Sequence, residues 1–283
     1  MSVSDGSVGG VVVLSAPAKV TLSLRIVGVR PDGYHLVDAE MVTVDLADTL
    51  ELIPAAPGVT TVEVVEGVPG EGAPFGEAAA DALSGVGGDG AGRGVSAIPA
   101  GADNLVARAL AVVGRSAVVR LHKRIPPGAG LGGGSADAAA VLRWAGVTDA
   151  EVAVGIGADV PFCVVGGRAR VRGVGEVVEP LDHEPLDLTL ATPPFGCSTP
   201  AVYAAWDRLG GPTATGPNDL EAAALLVEPR LARWRDGLGE ATGEQPVLAG
   251  SGSTWFVRGA HPGDGRVVVR AVPSGWKLAG TDG

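Results

Sequence analysis

Glycine occupies positions 128, 130, 132, 133 and 134, directly ahead of Ser135 and the run Ala136-Asp137-Ala138-Ala139-Ala140. A segment with so few side chains lets backbone N–H groups approach an anion, and the helix that the alanines predict turns its partly positive N-terminus toward it. Phosphate suits such a loop, with the Ser135 hydroxyl beside it; a tight structural turn satisfies the same spacing. Two phosphate-binding templates fail here. Gly128, Gly130 and Gly133 fit G-x-G-x-x-G, but the preceding LHKRIPP is charged and ends in two prolines, where a dinucleotide fold requires a buried strand running into the loop. Gly128 and Gly133 also have Walker spacing, yet Gly134 stands where the obligatory lysine belongs. Lysine is scarce, occurring only as Lys19, Lys123 and Lys277 against eighteen arginines, so each lysine is worth locating. Asp159, in Gly157-Ala158-Asp159-Val160-Pro161, reads on its residues alone as a turn aspartate.

Elements must bring these residues together. Val20, Leu22, Leu24 and Ile26 alternate with Lys19, Thr21, Ser23 and Arg25, predicting a strand that carries Lys19 on its polar face. Further strands are predicted over 41–46, 49–53, 59–65, 118–125 and 168–178. Asp103 is placed to cap a helix carrying Leu105, Val106, Ala109, Leu110 and Val113, and Thr148 with Glu151 forms a capping box for a short second helix. Residues 66–101, rich in Gly, Ala and acidic side chains, read as a surface insertion. After Pro180 a second set of elements begins: a strand over 186–191, a helix capped by Thr199 with Pro200 in its first turn, helices from Asn218 and Pro229, and strands over 254–258 and 266–272. Helices and strands mix without a βαβ rhythm, which predicts α+β and two domains, 1–180 and 181–283.

The whole chain narrows the function classes. With 283 residues, 46% of them hydrophobic, it can fill real cores. A formal charge of −11 disfavours nucleic-acid backbones and anionic membranes as partners, because both demand a broad basic surface. No run reaches the roughly 18 to 20 apolar residues of a membrane span, and the first ten residues lack the basic start and apolar core of a signal peptide, so a cytoplasmic protein is expected. Cys163 and Cys197 lie far apart and the four histidines are scattered, so neither disulfide nor metal-ligand spacing is present.

The stretch PPGAGLGGGSADAAA resembles the phosphate loop of the GHMP kinases, the galacto-, homoserine, mevalonate and phosphomevalonate kinase superfamily. Two other stretches, APAKVTLSLRIVGVRPDGYHLVDAEMVTVDLADTLEL at 16–52 and GADVPFCVVGGRARVRGVGE at 157–176, resemble the branch of that superfamily acting on diphosphocytidyl-methylerythritol. DNLVARAL, CSTPAVYAAW and LAGSGSTWF match further blocks of that branch in order. The resemblance implies a two-domain α+β fold with an N-terminal ATP domain, a C-terminal ferredoxin-like substrate domain and the active site in the cleft between them. It also implies transfer of the γ-phosphoryl of ATP, with Mg²⁺, to the 2-hydroxyl of a cytidine diphosphate-linked polyol, by a monomer or homodimer. A mevalonate- or homoserine-type kinase and a nucleotide-binding regulator without catalysis are the alternatives.

By the same resemblance Asp159 is the catalytic aspartate and Lys19 its partner, offsetting negative charge on the transferring phosphoryl group. A carboxylate is too weak a base to strip an alcohol beforehand, but a loose phosphoryl-transfer transition state asks mainly for alignment and late proton removal. Pro127, Gly128, Ala129, Gly130, Leu131, Gly132, Gly133, Gly134, Ser135, Ala136 and Asp137 would cradle the ATP phosphates, and Asn104 would lie near the nucleoside. Asp137 is expected in the first turn of its helix, where an acidic group suits the dipole. Tyr34 would stack on the cytosine, His35 would bond its edge, and Tyr203, with Thr199 and Pro200 at the helix start, would close the base from the other domain. Thr21 stands where the family usually has Asn. The interval from Asp137 to Asp159 is shorter than usual, predicting a trimmed helix beside an undisturbed site. Ala249 to Thr254 resembles a late glycine motif lining the cleft opposite the phosphate loop. Ligands for Mg²⁺ are not legible.

Overall fold

The computed structural model describes residues 10–66 and 104–281. Asp103 and all but the start of the insertion predicted over 66–101 lie outside the described residues. Two long strands form the frame. β1 (Val12–Val29) and β2 (His35–Pro54) pair antiparallel from Val12↔Leu52 to Val29↔His35, with irregularities at Pro17/Lys19, Thr21/Ser23 and Ile26/Gly28. The two strands predicted over 41–46 and 49–53 are thus one. Asp32-Gly33 turns the chain between β1 and β2, with Gly33 at φ +87°, a conformation open to glycine at no steric cost.

Across its other edge β2 pairs with β4 (Ala117–Lys123) over 49–54 and with β5 (Arg168–Gly173) over 37–42. β3 (Thr61–Glu66) lies parallel to β4, and β6 (Val177–Leu181) antiparallel to β5. The single strand predicted over 168–178 is this β5–β6 hairpin instead. Gly173 and Gly175, at φ +74° and +123°, make the turn that β-branched neighbours could not.

α1 (Leu105–Val112), α2 (Gly133–Trp144), α3 (Ala150–Ile156) and α4 (Val160–Val165) pack against one face of this sheet. The alanines at 136 and 138–140 are buried among Leu14, Ala16, Leu50 and Phe162, and their small side chains let α2 lie close to β1. Two caps differ from expectation by one residue. Asn104, not Asp103, caps α1, accepting from the Val106 N–H at 2.8 Å, and Asp149, not Thr148, caps α3, accepting from the N–H groups of Glu151 and Val152. Either neighbour has the side-chain chemistry of a cap, and the backbone entry angle chooses.

The second sheet contains β7 (Asp187–Ala191), β8 (Val247–Leu248), β9 (Trp255–Arg258) and β10 (Val267–Arg270) in the order β10-β7-β9-β8, antiparallel throughout. Numbered within the sheet this is 4-1-3-2, the arrangement of a ferredoxin-like unit. α5 (Thr199–Arg208), α6 (Glu221–Val227) and α7 (Leu231–Thr242) fill the first crossover, and a loop over 259–266 replaces the second helix. Ser198, not Thr199, is the cap residue of α5, with Pro200 in the first turn as expected. The two-residue β8 carries no periodicity that a sequence could announce.

A second apolar cluster joins the sheets: Ala18, Val20 and Leu22 of β1 meet Leu188, Leu190 and Phe256. The middle of β1 is therefore buried on both faces, which alters the expectation for Lys19. Its polar face is the floor of a cleft rather than a solvated surface, and Lys19 is 4% exposed. No helix among the described residues is long and apolar enough to cross a membrane.

Candidate active site

The glycine loop runs from the end of β4 to the start of α2 and is fixed by its carbonyls. Gly128 O accepts from Cys197 N at 3.2 Å, Ala129 O from Thr254 N at 3.1 Å, Leu131 O from Lys19 N at 3.0 Å and Gly132 O from Ala136 N at 2.8 Å. Among the described residues, no N–H from Gly128 to Ser135 donates to a carbonyl or side chain, so this row of donors has no partner within the described chain. Gly132 precedes α2 at φ +69°, and a Cβ there would lie 2.8 Å from Lys19 Cγ. Glycine is required because the lysine stem passes beneath the loop.

Lys19 reaches along that path to Asp159, with Nζ 3.2 Å from Oδ2, and donates to Thr21 Oγ1 at 3.1 Å. Asp159 ends the turn after α3 and begins α4, yet its carboxylate makes no cap bond. It is held out toward the cleft, its side chain 34% exposed beside the buried Lys19. Across the short Asp137–Asp159 interval, α3 is a helix of seven residues, Ala150–Ile156. Arg143, in the last turn of α2, donates to Ser15 O on β1 at 3.0 Å and to Cys163 O on α4, tying the elements of Lys19, Asp159 and the glycine loop to one guanidinium. Burial holds the Arg143 guanidinium below its usual range, and burial likewise pushes the Cys163 thiol up to about 12, leaving it inert.

Lys19, Asp159 and the glycine loop line a cleft of about 920 Å³ whose walls come from the first sheet and the start of α2 on one side and from α5 and the 250–251 turn on the other. Every predicted site residue lines it except Ala136, whose side chain is buried and whose N–H joins the first turn of α2. Asn104 is at the cleft but its Oδ1 is engaged as the α1 cap. At the far end Tyr34 is 63% exposed on the β1–β2 turn, while His35 packs on Tyr203 with ring centroids 4.8 Å apart and bonds Asp207 at 2.8 Å. Burial first, and then the Asp159 carboxylate, pushes the Tyr203 phenol above its ordinary range, so it faces the cleft protonated. The Thr199 and Ser251 hydroxyls, 2.8 Å apart, tie α5 to the late glycine turn.

Residues 104–167 match the GHMP kinases N terminal domain. A 4-diphosphocytidyl-2-C-methyl-D-erythritol kinase of Paracoccus denitrificans is 34% identical, covering 94% of this chain and 94% of its own length. The enzyme of the same name from Ruegeria pomeroyi is 34% identical over 93% of this chain and 96% of its own. The chain belongs to the 4-diphosphocytidyl-2-C-methyl-D-erythritol kinase family. A crystal structure of 4-(cytidine 5'-diphospho)-2C-methyl-D-erythritol kinase superposes with a TM-score of 0.64 at 29% identity, covering 92% of this chain and 99% of that one. The fold is accordingly the two-domain GHMP kinase fold, and the enzyme is a kinase that uses ATP.

In this kinase the loop has a second support that sequence reasoning did not reveal. Lys123, at the end of β4, is 6% exposed; its Nζ bonds Asp137 Oδ2 at 2.8 Å and also Asp48 Oδ2. Asp48 Oδ1 in turn accepts from Arg124 N and Ile125 N at 2.5 and 2.8 Å. Asp137 is thus not a first-turn residue facing the dipole. It is the fifth residue of α2, buried against Lys123, and its Oδ1 has no partner among the described residues. Burial works against the Lys123 ammonium, but Asp137 and Asp48 outweigh it and push that group above its usual range. The scarcity of lysine was the available signal, since Lys123 stands just before the loop. Its partner Asp48 lies 75 residues away and is brought there by β2–β4 pairing.

Gly130→Ala tests the backbone argument. Gly130 has φ +77°, and a Cβ there would lie 2.8 Å from Gly252 O and closer still to Ala249 O. The substitution should raise the KM for ATP at least tenfold, with the fold retained by circular dichroism; an unchanged KM would show that the two glycine turns need not touch.

Proposed function

We infer that this chain transfers the γ-phosphoryl group of ATP to the 2-hydroxyl of 4-diphosphocytidyl-2-C-methyl-D-erythritol, in the methylerythritol phosphate route to isoprenoid precursors. The observation that carries this inference is the Lys19–Asp159 pair, 3.2 Å apart on the cleft floor across from a row of unpaired loop N–H groups. The N–H groups from Gly128 to Ser135 and the α2 N-terminus hold the β- and γ-phosphates. Asp159 orients the acceptor hydroxyl and receives its proton as the O–P bond forms. Lys19 stabilises the charge on the transferring group, and Thr21, engaged with Lys19, fixes the ammonium direction. The catalytic roles go to Lys19 and Asp159, the ATP-binding role to the loop in a domain spanning 1–180, and the substrate role partly to a second domain over 181–283.

Among the described residues there is no cluster of three or more His, Cys, Asp or Glu that could hold a metal alone. That fits an Mg²⁺ ion that is carried on the ATP phosphates and keeps several waters, and Asp159 is a cleft carboxylate that would help to hold it. When bound it would neutralise the β- and γ-phosphates during transfer. For the base, Tyr34 offers an exposed ring to one face and Tyr203, with Thr199 and Pro200, lines the wall from α5. Stacking of this kind contributes roughly 1–3 kcal/mol per base and tolerates any base, so preference for cytosine falls to His35.

ATP consumption with the cytidyl substrate, compared with mevalonate and homoserine, tests the assignment. Turnover is expected with the cytidyl substrate at a kcat/KM at least 10²-fold above either alternative, and indifference to the cytidyl group would overturn it.

A further inference from the structure

We infer that Asp207 selects the base by fixing the tautomer of His35, so that the cleft accepts a pyrimidine with an amino group at its 4-position and refuses one with a carbonyl there. This rests on the reading of His35 as the residue that meets the base edge. Asp207 Oδ1 lies 2.8 Å from His35 Nε2. A carboxylate can only accept, so the neutral ring carries its proton on Nε2 and presents Nδ1 as a bare lone pair. Nδ1 has no hydrogen-bond partner and is not enclosed among the described residues, and His35 lines the cleft. A lone pair there attracts the 4-amino group of cytosine and repels the 4-carbonyl of uracil, whereas an N–H at the same place would reverse the preference.

The imidazole is held against turning over. Tyr203, Trp206 and Asp207 share one face of α5, at the i, i+3 and i+4 spacing that brings side chains together. Tyr203 packs on the imidazole at 4.8 Å and Trp206 meets it edge-on at 5.5 Å. Trp206 is itself anchored through Nε1 to Pro212 O at 3.0 Å. A ring flip would place a carbon against the Asp207 carboxylate, so one orientation and one tautomer persist. Asp207 does not touch the base in this account. It is a positioning residue that acts through His35.

Asp207→Asn supplies the test. An asparagine amide can donate to Nε2 as well as accept from it, so the tautomer is no longer fixed, and a ring proton on Nδ1 turns the base-facing lone pair into a donor. The ratio of kcat/KM for the cytidyl substrate to that for its uridyl analogue should fall at least tenfold, through KM rather than kcat. Asp207→Glu, which keeps a carboxylate acceptor, should restore the ratio. The chain has four histidines, so nitrogen-15 NMR of the imidazoles, with His35→Gln to identify the resonance, reads the tautomer without any turnover. The proton is expected on Nε2 in the wild type and shared between Nε2 and Nδ1 in Asp207→Asn. A wild-type proton on Nδ1, or an unchanged selectivity ratio in Asp207→Asn, overturns the proposal. Failure of the wild type to phosphorylate the cytidyl substrate would instead remove the base-binding reading on which it rests, and the NMR result would stand separately.

Discussion

Asp159→Asn is expected to lower kcat by roughly 10² to 10⁴-fold, the range supplied by a positioned proton acceptor, with a much smaller change in ATP affinity. Asparagine preserves the shape of the side chain and can still accept from Lys19 Nζ, now 3.2 Å from Asp159 Oδ2, so the cleft floor should hold its geometry. What disappears is the negative charge that orients the acceptor hydroxyl and the site that takes its proton. In the proposed reaction, phosphate binding rests on other atoms, the N–H groups of the glycine loop, which is fixed by carbonyl bonds to Cys197, Thr254 and Lys19 that do not involve Asp159. Steady-state kinetics beside calorimetric titration of a nonhydrolysable ATP analogue separates the two effects. A kcat within a few-fold of wild type would deny Asp159 its role, and an equal loss of nucleotide affinity would make it a binding residue instead.

How much of this site was legible depended on whether a residue's constraint was local. Gly130 and Gly132 could be read as a backbone approaching an anion because the requirement for glycine lies in their own φ values. Gly173 and Gly175 carried the same kind of signal, and a hairpin there was available to a reading that weighted them above the alternation around them. Lys19 was legible as a polar strand residue, but its burial was not, since its cover comes from Leu131 and Gly250, more than a hundred residues on. The paired roles of Lys19 and Asp159 came from family resemblance, because no spacing rule links positions joined only by tertiary packing. Cap positions slipped by one at Asn104, Asp149 and Ser198, where adjacent residues share the same capping chemistry. Asp207 was hidden for a different reason. On α5 it looks like any solvated helix aspartate, and only the turn at His35 folding back against the helix gives it a partner.

Lys123→Met should be the most destabilising single change at the site, by about 3–5 kcal/mol, because it leaves two carboxylates buried around a missing cation. Asp48 would retain its bonds from Arg124 N and Ile125 N, whereas Asp137 would lose the bond from Lys123 Nζ to its Oδ2, and its Oδ1 has no partner among the described residues. The loss should also depend on pH in a stated direction. Burial, opposed by Lys123 and reinforced by Asp48, raises the Asp137 carboxyl to about 7 in the folded chain. A carboxyl raised above its unfolded value of 3.8 binds its proton more tightly when folded, so its contribution is fully present below that value and is lost as pH rises through about 7. Removing the ammonium raises Asp137 further, so the gap in Tm between wild type and Lys123→Met should widen from pH 5 to pH 8. Pairing the substitution with Asp137→Leu removes the stranded charge and should recover part of the stability. The KM for ATP need not recover with it, since the Lys123 Nζ lies 3.1 Å from where a Gly133 Cβ would stand and so supports the start of α2 from below. Thermal melts of the three proteins at both pH values decide it: a Tm gap that does not change with pH would mean Asp137 stays ionised throughout, and a loss under about 1 kcal/mol would make the triad no stronger than a surface ion pair.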